Sequence, residues 1–375
     1  MKFFATTFSG LEDVVALELM RLSLNDVQAD VGKVFFSGSL EDCVKVNFAG
    51  QTVNRVFLLL LREKVTGLDD IEKAAASVDY TSVIGRKQSF AVQAERIGVH
   101  DFTSLDIAAR VGKAVLDSFK AITGVRLCVD LNNPDVEIYV ILRGEELLMG
   151  VNTSGESLHR RWYRTAYHRA ALSPTVANAM VKLSGWKSDE CLIDPFCGSG
   201  TIPLEAAVHG LEVSPGLRKH LALEKLVLFS REAVEKIRES LIRREKIGEI
   251  LNVLGFDVSP LWIAVADSSR LSSGLGDSVR FGVADVMRLV EVLTTEVDKV
   301  VCNPPFGLRI RLKEPEKFYT NAFKSIHQAC PHASLTVIVN KPTIASKALE
   351  AAGYSVTSSR KILLGPVAAY ILTAV

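Results

Sequence analysis

The chain has 375 residues, of which 48% are hydrophobic and 23% are charged, and its formal net charge is +1 at pH 7. This composition excludes a disordered chain and allows two or three domains with cores of their own. The near-zero net charge argues against a uniformly basic nucleic-acid-binding surface and leaves room for a local basic patch.

In the region before residue 165, short β-rich segments alternate with two or three helices, which predicts one or two small α+β domains. The last two strands are joined through Arg143-Gly144 and predict a hairpin. Ser104 is predicted to cap a helix that runs to about Ile122, because apolar residues recur there at helical spacing. The predicted strands are Phe3–Thr6, Gly32–Ser37, Ser89–Glu95, Val125–Leu131, Val136–Leu142 and Leu147–Asn152.

After residue 170 the pattern becomes strand, glycine turn and helix, repeated, which predicts a doubly wound α/β sheet with helices on both faces. A late pair of strands predicts an antiparallel hairpin at the end of the sheet. Between the first two strands, Leu217 to about Lys246 predicts one amphipathic helix that packs on the sheet. The predicted strands are Cys191–Asp194, Val253–Asp257, Val279–Gly282, Lys299–Cys302, Leu335–Val339, Tyr354–Lys361 and Val367–Thr373.

The segment Leu192–Ala207 combines a strand, an acidic tip, a glycine turn and a helix. Gly198 and Gly200 let the backbone turn tightly next to a ligand, and the helix start offers unpaired N–H groups. A dinucleotide site is the alternative, but its G-x-G-x-x-G pattern needs a third glycine, which is missing here. Asp194 stands before the glycines, where it would repel a pyrophosphate and would accept a hydrogen bond from the ammonium of an amino acid. The pattern therefore favours S-adenosylmethionine.

Two later strand tips also carry carboxylates. Asp257 is predicted to hold ribose hydroxyls, and Asp285 is predicted to accept from an adenine amine. A single aspartate after a strand is more often a helix cap. Three such residues at successive strand ends favour a ligand that lies across the sheet edge.

The fourth strand of this region ends in Asn303-Pro304-Pro305-Phe306. As a structural feature this is a turn, because proline fixes φ and asparagine tolerates irregular backbone. Beside a methyl donor it also has a chemical use. An exocyclic aromatic amine is a poor nucleophile, and two acceptors that hold both of its hydrogens turn its lone pair toward the methyl group; the Asn303 side-chain oxygen and the Pro304 carbonyl supply them. Phe306 offers a flat face for stacking the target base.

With both motifs, the chain resembles amino-group methyltransferases of the N/D-P-P-F/Y/W type. The segments Arg96–Ser104, Val129–Val136 and Asn152–Arg164 resemble the THUMP domain, an RNA-binding module of RNA-modifying enzymes. Phe8–Glu12 resembles the start of the ferredoxin-like domain that usually precedes it, and Pro215–Arg218 fits an insertion after the first motif. Over nearly its whole length the chain is similar to the THUMP-domain guanine-N2 methyltransferases.

The resemblance implies a ferredoxin-like domain at 1–60, a THUMP domain at 61–156, a linker at 157–172 and a Rossmann-like class I methyltransferase domain at 173–375. It implies S-adenosylmethionine as cofactor and tRNA as partner, bound through its acceptor stem and 3′ end. It implies that a monomer forms N2-methylguanosine at position six of the acceptor stem. Ribosomal RNA and other tRNA positions are the alternatives. Relatives that act on tRNA position ten typically carry Asp-Pro-Pro-Tyr, whereas relatives that act on ribosomal RNA share the asparagine.

The site residues follow from the same resemblance. The residues predicted to bind the cofactor are Asp194, Pro195, Phe196, Cys197, Gly198, Ser199, Gly200, Thr201, Asp257, Val258, Ala284, Asp285, Val286 and Asn303. The residues predicted to hold the guanine are Asn303, Pro304, Pro305 and Phe306.

The linker carries Arg160, Arg161, Arg164 and Arg169, interleaved with Trp162, Tyr163 and Tyr167. A charge run of this kind is usually a solvated linker. Aromatic residues among arginines at a domain junction also suit phosphate contact, and we predict that the four arginines bind RNA.

Other patterns argue against metals and membranes. The six cysteines include no C-x-x-C pair, and the seven histidines show no metal-ligand spacing, so neither a disulfide framework nor a metal site is predicted. No apolar run approaches the roughly 18 residues that a membrane helix needs, and Met1–Gly10 lacks the pattern of a signal peptide. We expect a cytoplasmic protein.

Two alternatives come from other functional classes. A catalytically idle RNA-binding protein would not need the intact carboxylates and Asn303. A DNA adenine-N6 or protein glutamine methyltransferase uses similar Asn-Pro-Pro loops, but neither would need a THUMP-like front half.

Overall fold

The structure is a computed structural model that describes residues 1–166, 171–305 and 314–375. In this part of the chain, fifteen strands form two sheets, an eight-stranded sheet in the front half and a seven-stranded sheet after the linker. Among the helices of these residues, none has both the length and the apolar character needed to cross a bilayer.

The front sheet has the order β2-β3-β1-β4-β8-β7-β5-β6. Its strands are β1 (Lys2–Thr6), β2 (Asn25–Asp30), β3 (Lys33–Ser37), β4 (Arg55–Lys64), β5 (Ser89–Ile97), β6 (Cys128–Val129), β7 (Val136–Arg143) and β8 (Glu146–Asn152). The predicted hairpin is confirmed as β7 paired antiparallel with β8. The central strand β4 pairs with β1 on one side and with β8 on the other, so one sheet runs through both predicted front domains. The boundary at residues 60–61 lies within β4 and stays a prediction.

Four helices belong to this half: α1 (Glu12–Arg21), α2 (Leu40–Ala49), α3 (Leu68–Ala76) and α4 (Ser104–Thr123). The predicted helix is confirmed as α4, but its cap is Thr103 and not Ser104. The Thr103 hydroxyl accepts from the Asp106 N–H, and the Asp106 carboxylate accepts from the Thr103 N–H at 2.7 Å. This reciprocal capping box satisfies two N–H groups at once. The predicted strand at Val125–Leu131 is reduced to β6.

The second sheet has the order β11-β10-β9-β12-β13-β15-β14, with β15 antiparallel to both of its neighbours, which confirms the doubly wound sheet with a late hairpin. Its strands are β9 (Leu192–Asp194), β10 (Val253–Asp257), β11 (Val279–Val283), β12 (Lys299–Cys302), β13 (Ser334–Val339), β14 (Val356–Leu364) and β15 (Val367–Ala374). Its helices are α5 (Pro174–Leu183), α6 (Thr201–Gly210), α7 (Arg231–Ile242), α8 (Pro260–Ser273), α9 (Pro315–Ala329) and α10 (Pro342–Ala351). The strand order reverses between β9 and β12, which is where open α/β sheets bind ligands.

The prediction of one long helix from Leu217 to Lys246 was wrong. The segment forms two short 3₁₀ turns, Pro215–Arg218 and Ala222–Glu224, and then the helix α7. The apolar side of α7 lies in the core of the front half and contacts α2, so the insertion does not pack on the second sheet as predicted. Gly216 permits this docking, because a Cβ there would lie 2.1 Å from the Asn47 carbonyl oxygen.

The two halves share a buried interface. Leu11, just before α1, and Val14 of α1 belong to the apolar core of the second half. The buried Glu18 carboxylate accepts from the Thr52 N–H at 3.0 Å and pairs with Lys182 of α5 at 3.2 Å. The front half therefore contributes residues to the core that supports the second sheet.

Candidate active site

Two carboxylates meet at the tips of adjacent strands. Asp194 ends β9 and Asp257 ends β10, which pairs with β9 in parallel. Asp194 is buried, and its Oδ1 accepts from the Phe196 N–H at 2.9 Å. Asp257 accepts from the Gly198 N–H at 3.0 Å and from the Ser259 N–H at 2.9 Å. Asp257 thus holds the glycine turn in place, in addition to its predicted contact with the ribose.

The two glycines of the turn have different reasons to be glycine. Both have positive φ, +51° at Gly198 and +80° at Gly200. A Cβ on Gly200 would lie 2.7 Å from the Phe281 ring, so any side chain at this position would clash with that ring. A Cβ on Gly198 would meet no described heavy atom within 4 Å, so that position faces open space. The open side of the turn is the side that can receive a ligand.

The remaining loop residues complete the turn. The Cys197 N–H donates to the Phe256 carbonyl at 2.8 Å, and the Gly200 N–H donates to the Cys197 carbonyl at 2.8 Å. Helix α6 begins at Thr201, and within the described residues no side chain caps its first turn. The N–H groups at this helix start are therefore available for an anion such as a carboxylate.

The electrostatics of Asp194 are unusual for a carboxylate. Burial raises its pKa well above the ordinary value, the nearby Asp257 raises it further, and the Phe196 N–H partly opposes both effects. A cationic ligand beside Asp194 would favour its ionised form. The position suits the ammonium or sulfonium of S-adenosylmethionine, which carries positive charge at that end.

The third carboxylate has a capping role in the structure. Asp285 is exposed, and its Oδ1 accepts from the Met287 N–H at 3.0 Å at the start of a 3₁₀ turn. The Ala284 N–H donates to the Asp257 carbonyl at 3.1 Å, which ties the tips of β10 and β11 together. Val258 is exposed, whereas Ala284 and Val286 are buried. The helix-cap alternative is thus realised for Asp285, and its contact with adenine stays a prediction.

The catalytic motif follows β12, which pairs with β9 in parallel across the point where the strand order reverses. The Oδ1 atom of Asn303 is buried and has no hydrogen-bond partner among the described residues. Pro304 is buried, and the Pro305 carbonyl accepts from the Tyr319 hydroxyl at 3.0 Å. Phe306 lies outside the described residues, so its predicted stacking role stays a prediction.

Tyr319 was missed by the sequence analysis. It lies on α9, is buried, and stacks on Phe323 with ring centroids 5.8 Å apart and planes at 13°. The ring of its neighbour Phe318 contacts the ring of Phe196 in the glycine turn, with centroids 6.2 Å apart. Burial raises the pKa of Tyr319 to about 12, so its hydroxyl remains a donor. The only signal in the sequence is the pair of aromatic residues four positions apart on one helix face.

The linker arginines have different environments. Arg161 has a fully buried side chain that pairs with Glu205 at 2.8 Å and also donates to the Leu158 carbonyl. Glu205 accepts in addition from the Tyr163 hydroxyl at 2.7 Å and from Asn178 at 3.0 Å. The predicted contact of Arg161 with RNA is therefore wrong, because its guanidinium is buried and its donors bind groups of this chain.

Arg160 and Arg164 lie nearer the surface than Arg161. Arg160 is exposed and pairs with Glu156 at 2.6 Å. Arg164 donates to the Thr201 hydroxyl at 3.1 Å, so the linker touches the start of the cofactor-side helix. Arg169 lies outside the described residues. The indole N–H of Trp162 donates to the Ser273 carbonyl at 2.8 Å, and this hydrogen bond holds the ring against the second half.

Cysteine and metal chemistry contribute nothing visible to the described part of the site. Burial raises the pKa of Cys197 and of Cys302 well above the ordinary value, which keeps both as unreactive thiols. The described histidine, cysteine, aspartate and glutamate side chains form no group of three or more that could hold a metal ion.

The domain families match the order expected from the sequence. Residues 161–365 match the RMKL-like methyltransferase domain, residues 65–152 match the THUMP domain, and residues 2–57 match the RlmL ferredoxin-like domain. Together these matches span nearly the whole chain.

Curated relatives include enzymes named for tRNA and enzymes named for ribosomal RNA. The chain is 36% identical over 370 residues to the tRNA (guanine(6)-N2)-methyltransferase of Archaeoglobus fulgidus, a match that covers 97% of this chain and 90% of that protein. It is 34% identical to the enzyme of the same name in Methanocaldococcus jannaschii, over 90% of each chain. It is 28% identical to the ribosomal RNA large subunit methyltransferase K/L of Shewanella frigidimarina, over 82% of this chain and 44% of that protein.

Solved structures share the fold over the full length. A protein from Listeria monocytogenes described as a predicted N6-adenine-specific DNA methylase is 26% identical, with a TM-score of 0.86 over 99% of this chain and 95% of that one. TrmN from Thermus thermophilus is 25% identical, with a TM-score of 0.73 over 100% and 98%. SMU.472, a proposed methyltransferase complexed with SAH, has a TM-score of 0.89 over 99% and 97%; at 23% identity that likeness supports the fold alone.

Proposed function

The chain belongs to the RMKL-like methyltransferase family in its form with ferredoxin-like and THUMP domains, and from this membership we propose that it transfers a methyl group from S-adenosylmethionine to N2 of a guanine in tRNA. The proposed target is position six in the acceptor stem, because two relatives at least 34% identical to this chain are named for guanine 6. N2-methylguanosine is the expected product.

The observation that carries the proposal is the unpartnered amide oxygen of Asn303. Leaving a buried acceptor without a donor costs about 1 to 3 kcal/mol. The described residues supply no donor, and the exocyclic amine of guanine supplies two N–H groups. Asn303 follows β12 and Asp194 ends β9, and these strands are direct neighbours. The acceptor and the glycine turn therefore meet where the sheet's strand order reverses.

The residues of the turn fit S-adenosylmethionine. The N–H groups at the start of α6 would hold its carboxylate, Asp194 its ammonium and Asp257 its ribose, while the open side of Gly198 leaves room for the ligand. When bound, this cofactor supplies an electrophilic methyl group.

The chain's own contribution to the chemistry is positioning. Asn303 Oδ1 accepts one hydrogen of the amine and the Pro304 carbonyl accepts the other, so the nitrogen lone pair is held in one direction. Both acceptors also stabilise the positive charge that develops on the nitrogen. Neither proline has an N–H, so the backbone of this loop does not compete for the acceptors. No strong general base is required, because the nitrogen loses its extra proton to water only after the methyl group has transferred, which leaves S-adenosylhomocysteine and N2-methylguanosine.

Ribosomal RNA is the second candidate substrate. It is favoured by the match to the K/L enzymes over 82% of this chain, but that match covers only 44% of the relative. The match to the archaeal tRNA enzymes covers 90% of each of them, so tRNA is the better supported substrate.

The substrate is tested by offering the purified protein unmodified tRNA transcripts, large-subunit rRNA and duplex DNA together with methyl-labelled S-adenosylmethionine. Mass spectrometry of nucleosides with position mapping should find N2-methylguanosine at position six of tRNA. Label chiefly in rRNA would replace the tRNA assignment, and N6-methyladenine in DNA would overturn the proposal.

Deleting the front half is not a suitable test of RNA binding. Leu11 and Val14 fill the core of the second half, and Lys182 would lose its buried partner Glu18. Removing one member of a buried ion pair costs about 3 to 5 kcal/mol, so a truncated chain would lose stability as well as RNA. Point substitutions at exposed residues avoid this problem.

The monomeric state and the cytoplasmic location stay predictions. Light scattering of the purified chain, with and without tRNA, tests the first. Fractionation of cells that express the tagged protein tests the second.

A further inference from the structure

The insertion between α6 and β10 contains a groove of about 800 Å³, here called the insertion groove. Its lining carries four permanent cations: Arg218, Lys219, Arg231 and Arg238. Only two carboxylates, Glu224 and Glu235, lie in the same lining. The lining alone therefore has two more cations than carboxylates, and two acids outside it, Glu245 and Glu156, pair with Arg218 and Lys219.

Helix α7 forms one wall of the groove. Its lining residues Arg231, Val234, Glu235 and Arg238 are spaced three and four positions apart, so they share one face of the helix. Arg238 pairs with Glu224 at 2.8 Å and with Glu235 at 3.2 Å, so both carboxylates of the lining share this one cation.

Arg231 is the cation that remains available. It is exposed and makes no ion pair with a described residue, whereas Arg218 pairs with Glu245 and Lys219 pairs with Glu156. It is also the first residue of α7, where the helix dipole disfavours a cation. An anion in the groove would satisfy this charge.

The groove connects the front half with the active site. On one side, Gln88 donates to the carbonyl of Lys225 in the insertion at 2.8 Å. On the other side, Lys219 donates to the carbonyl of Arg160 at 3.1 Å, and the linker continues to Arg164, which donates to Thr201 at the cofactor-side helix. The step from Arg160 to Arg164 spans at most about 14 Å of backbone, so a short stretch of linker joins the groove wall to the start of α6.

We propose that the insertion groove binds the sugar-phosphate backbone of the substrate RNA beside the nucleotide that is methylated, with Arg231 as its free phosphate ligand. This rests on the proposed function, because it assumes an RNA substrate in the active site. A phosphate of the polyanionic backbone would pair with the unpaired charge of Arg231, and a continuous RNA segment can contact both the groove and the linker.

The test compares Arg231→Glu with the control Lys236→Glu. Lys236 is exposed on the same helix but does not line the groove, so both variants make the same change of charge. Glutamate at the first position of a helix is favourable, so Arg231→Glu should not unfold α7. Binding of an unmodified tRNA transcript is measured between 50 and 200 mM salt, with S-adenosylmethionine affinity and methylation by the unaltered protein measured in parallel.

For Arg231→Glu we expect the Kd for tRNA to rise about tenfold near 0.1 M salt and the slope of log K against log salt to fall by about one unit. Lys236→Glu should change neither by more than about twofold, and neither variant should change the affinity for S-adenosylmethionine. If the unaltered protein methylates tRNA and both variants bind it equally, the groove proposal is overturned and the function stands. If the unaltered protein methylates no RNA, the proposed function itself fails.

Discussion

The two loops of the active site are held in opposite ways. The glycine turn from Asp194 to Gly200 is fixed by hydrogen bonds within the chain, including those from Gly198 to Asp257 and from Phe196 to Asp194. The described part of the catalytic loop has two prolines, one hydrogen bond from Tyr319, and an unpartnered acceptor on Asn303. The glycine turn, on the cofactor side, is thus held in place by the protein itself. The catalytic loop, on the side of the base, has a hydrogen-bond acceptor without a donor among the described residues. Substitutions on the two sides should therefore separate cofactor binding from the rate of methyl transfer.

The largest effect is expected on the base side. Asn303→Ala removes one of two acceptors and should lower the single-turnover rate by roughly 100- to 1000-fold, as loss of a preorganised hydrogen-bonding group does elsewhere. The affinity for S-adenosylmethionine should change little. Asn303→Asp keeps an acceptor oxygen and should recover much of the rate. A rate that followed one ionisation, lost when Asn303 is replaced, would contradict the positioning mechanism.

The next effect is expected on the cofactor side. Asp194→Asn removes the buried carboxylate and should weaken S-adenosylmethionine by about 1.5 to 3 kcal/mol, or roughly 10- to 100-fold. Calorimetric titration measures this directly. Unchanged affinity in this variant would remove Asp194 from the cofactor site.

The same variant should be more stable without cofactor. Because the pKa of Asp194 is raised in the folded protein, its protonated form stabilises the fold at low pH, and that contribution is lost as pH rises through the raised pKa. The Tm of Asp194→Asn should exceed that of the unaltered protein by a margin that grows with pH. For the unaltered protein, S-adenosylmethionine affinity should fall as pH drops below the raised pKa. A margin that shrinks with rising pH would contradict this assignment.

A smaller effect is expected where the two loops meet. Tyr319→Phe removes the single described hydrogen bond to the Pro305 carbonyl but keeps the ring stacked on Phe323. Losing it should cost about 0.5 to 1.5 kcal/mol in the transition state, a rate reduction of roughly two- to tenfold, without weakening S-adenosylmethionine. Tyr354→Phe is the matched control, because the Tyr354 hydroxyl is buried without a described partner. Equal rates for both variants would show that Tyr319 only fills the core.

The smallest effect is expected at Asp285. Asp285→Asn keeps an acceptor for the Met287 N–H and removes only the charge. Because Asp285 is exposed, we expect S-adenosylmethionine to weaken by less than about tenfold, a loss near 1 kcal/mol. A loss as large as that of Asp194→Asn would show that Asp285 contacts the cofactor as directly as the buried carboxylate does.

The sequence predicted the parts of the fold in which local pattern and final environment agree. The parallel strands β9 to β13 of the second sheet are short apolar runs that end at, or within two residues of, an aspartate or asparagine, and they lie close to their predicted positions. The glycine turn was predictable because glycine readily adopts positive φ, and both Gly198 and Gly200 do so in the structure.

The errors occurred where the environment comes from distant parts of the chain. The apolar stripe of α7 was visible, but nothing local indicates that it packs on α2 and not on the nearer sheet. The charge of Arg161 suggested RNA, but its partner Glu205 is 44 positions away. Tyr319 lies 14 positions after the carbonyl that it contacts and belongs to no motif. Charge and hydrophobicity predict a residue's chemistry, but long-range packing decides which partner it meets.

The most direct test of the proposed chemistry replaces the substrate atom. A tRNA with inosine at position six lacks only the exocyclic amine of guanosine, so it keeps the backbone contacts but removes both hydrogens that Asn303 and Pro304 would hold. With methyl-labelled S-adenosylmethionine, we expect the guanosine tRNA to be labelled at position six and the inosine tRNA to bind with similar affinity and remain unlabelled there. Equal labelling of the two tRNAs, or label mapped to another atom of the guanosine tRNA, would contradict methylation at guanine N2.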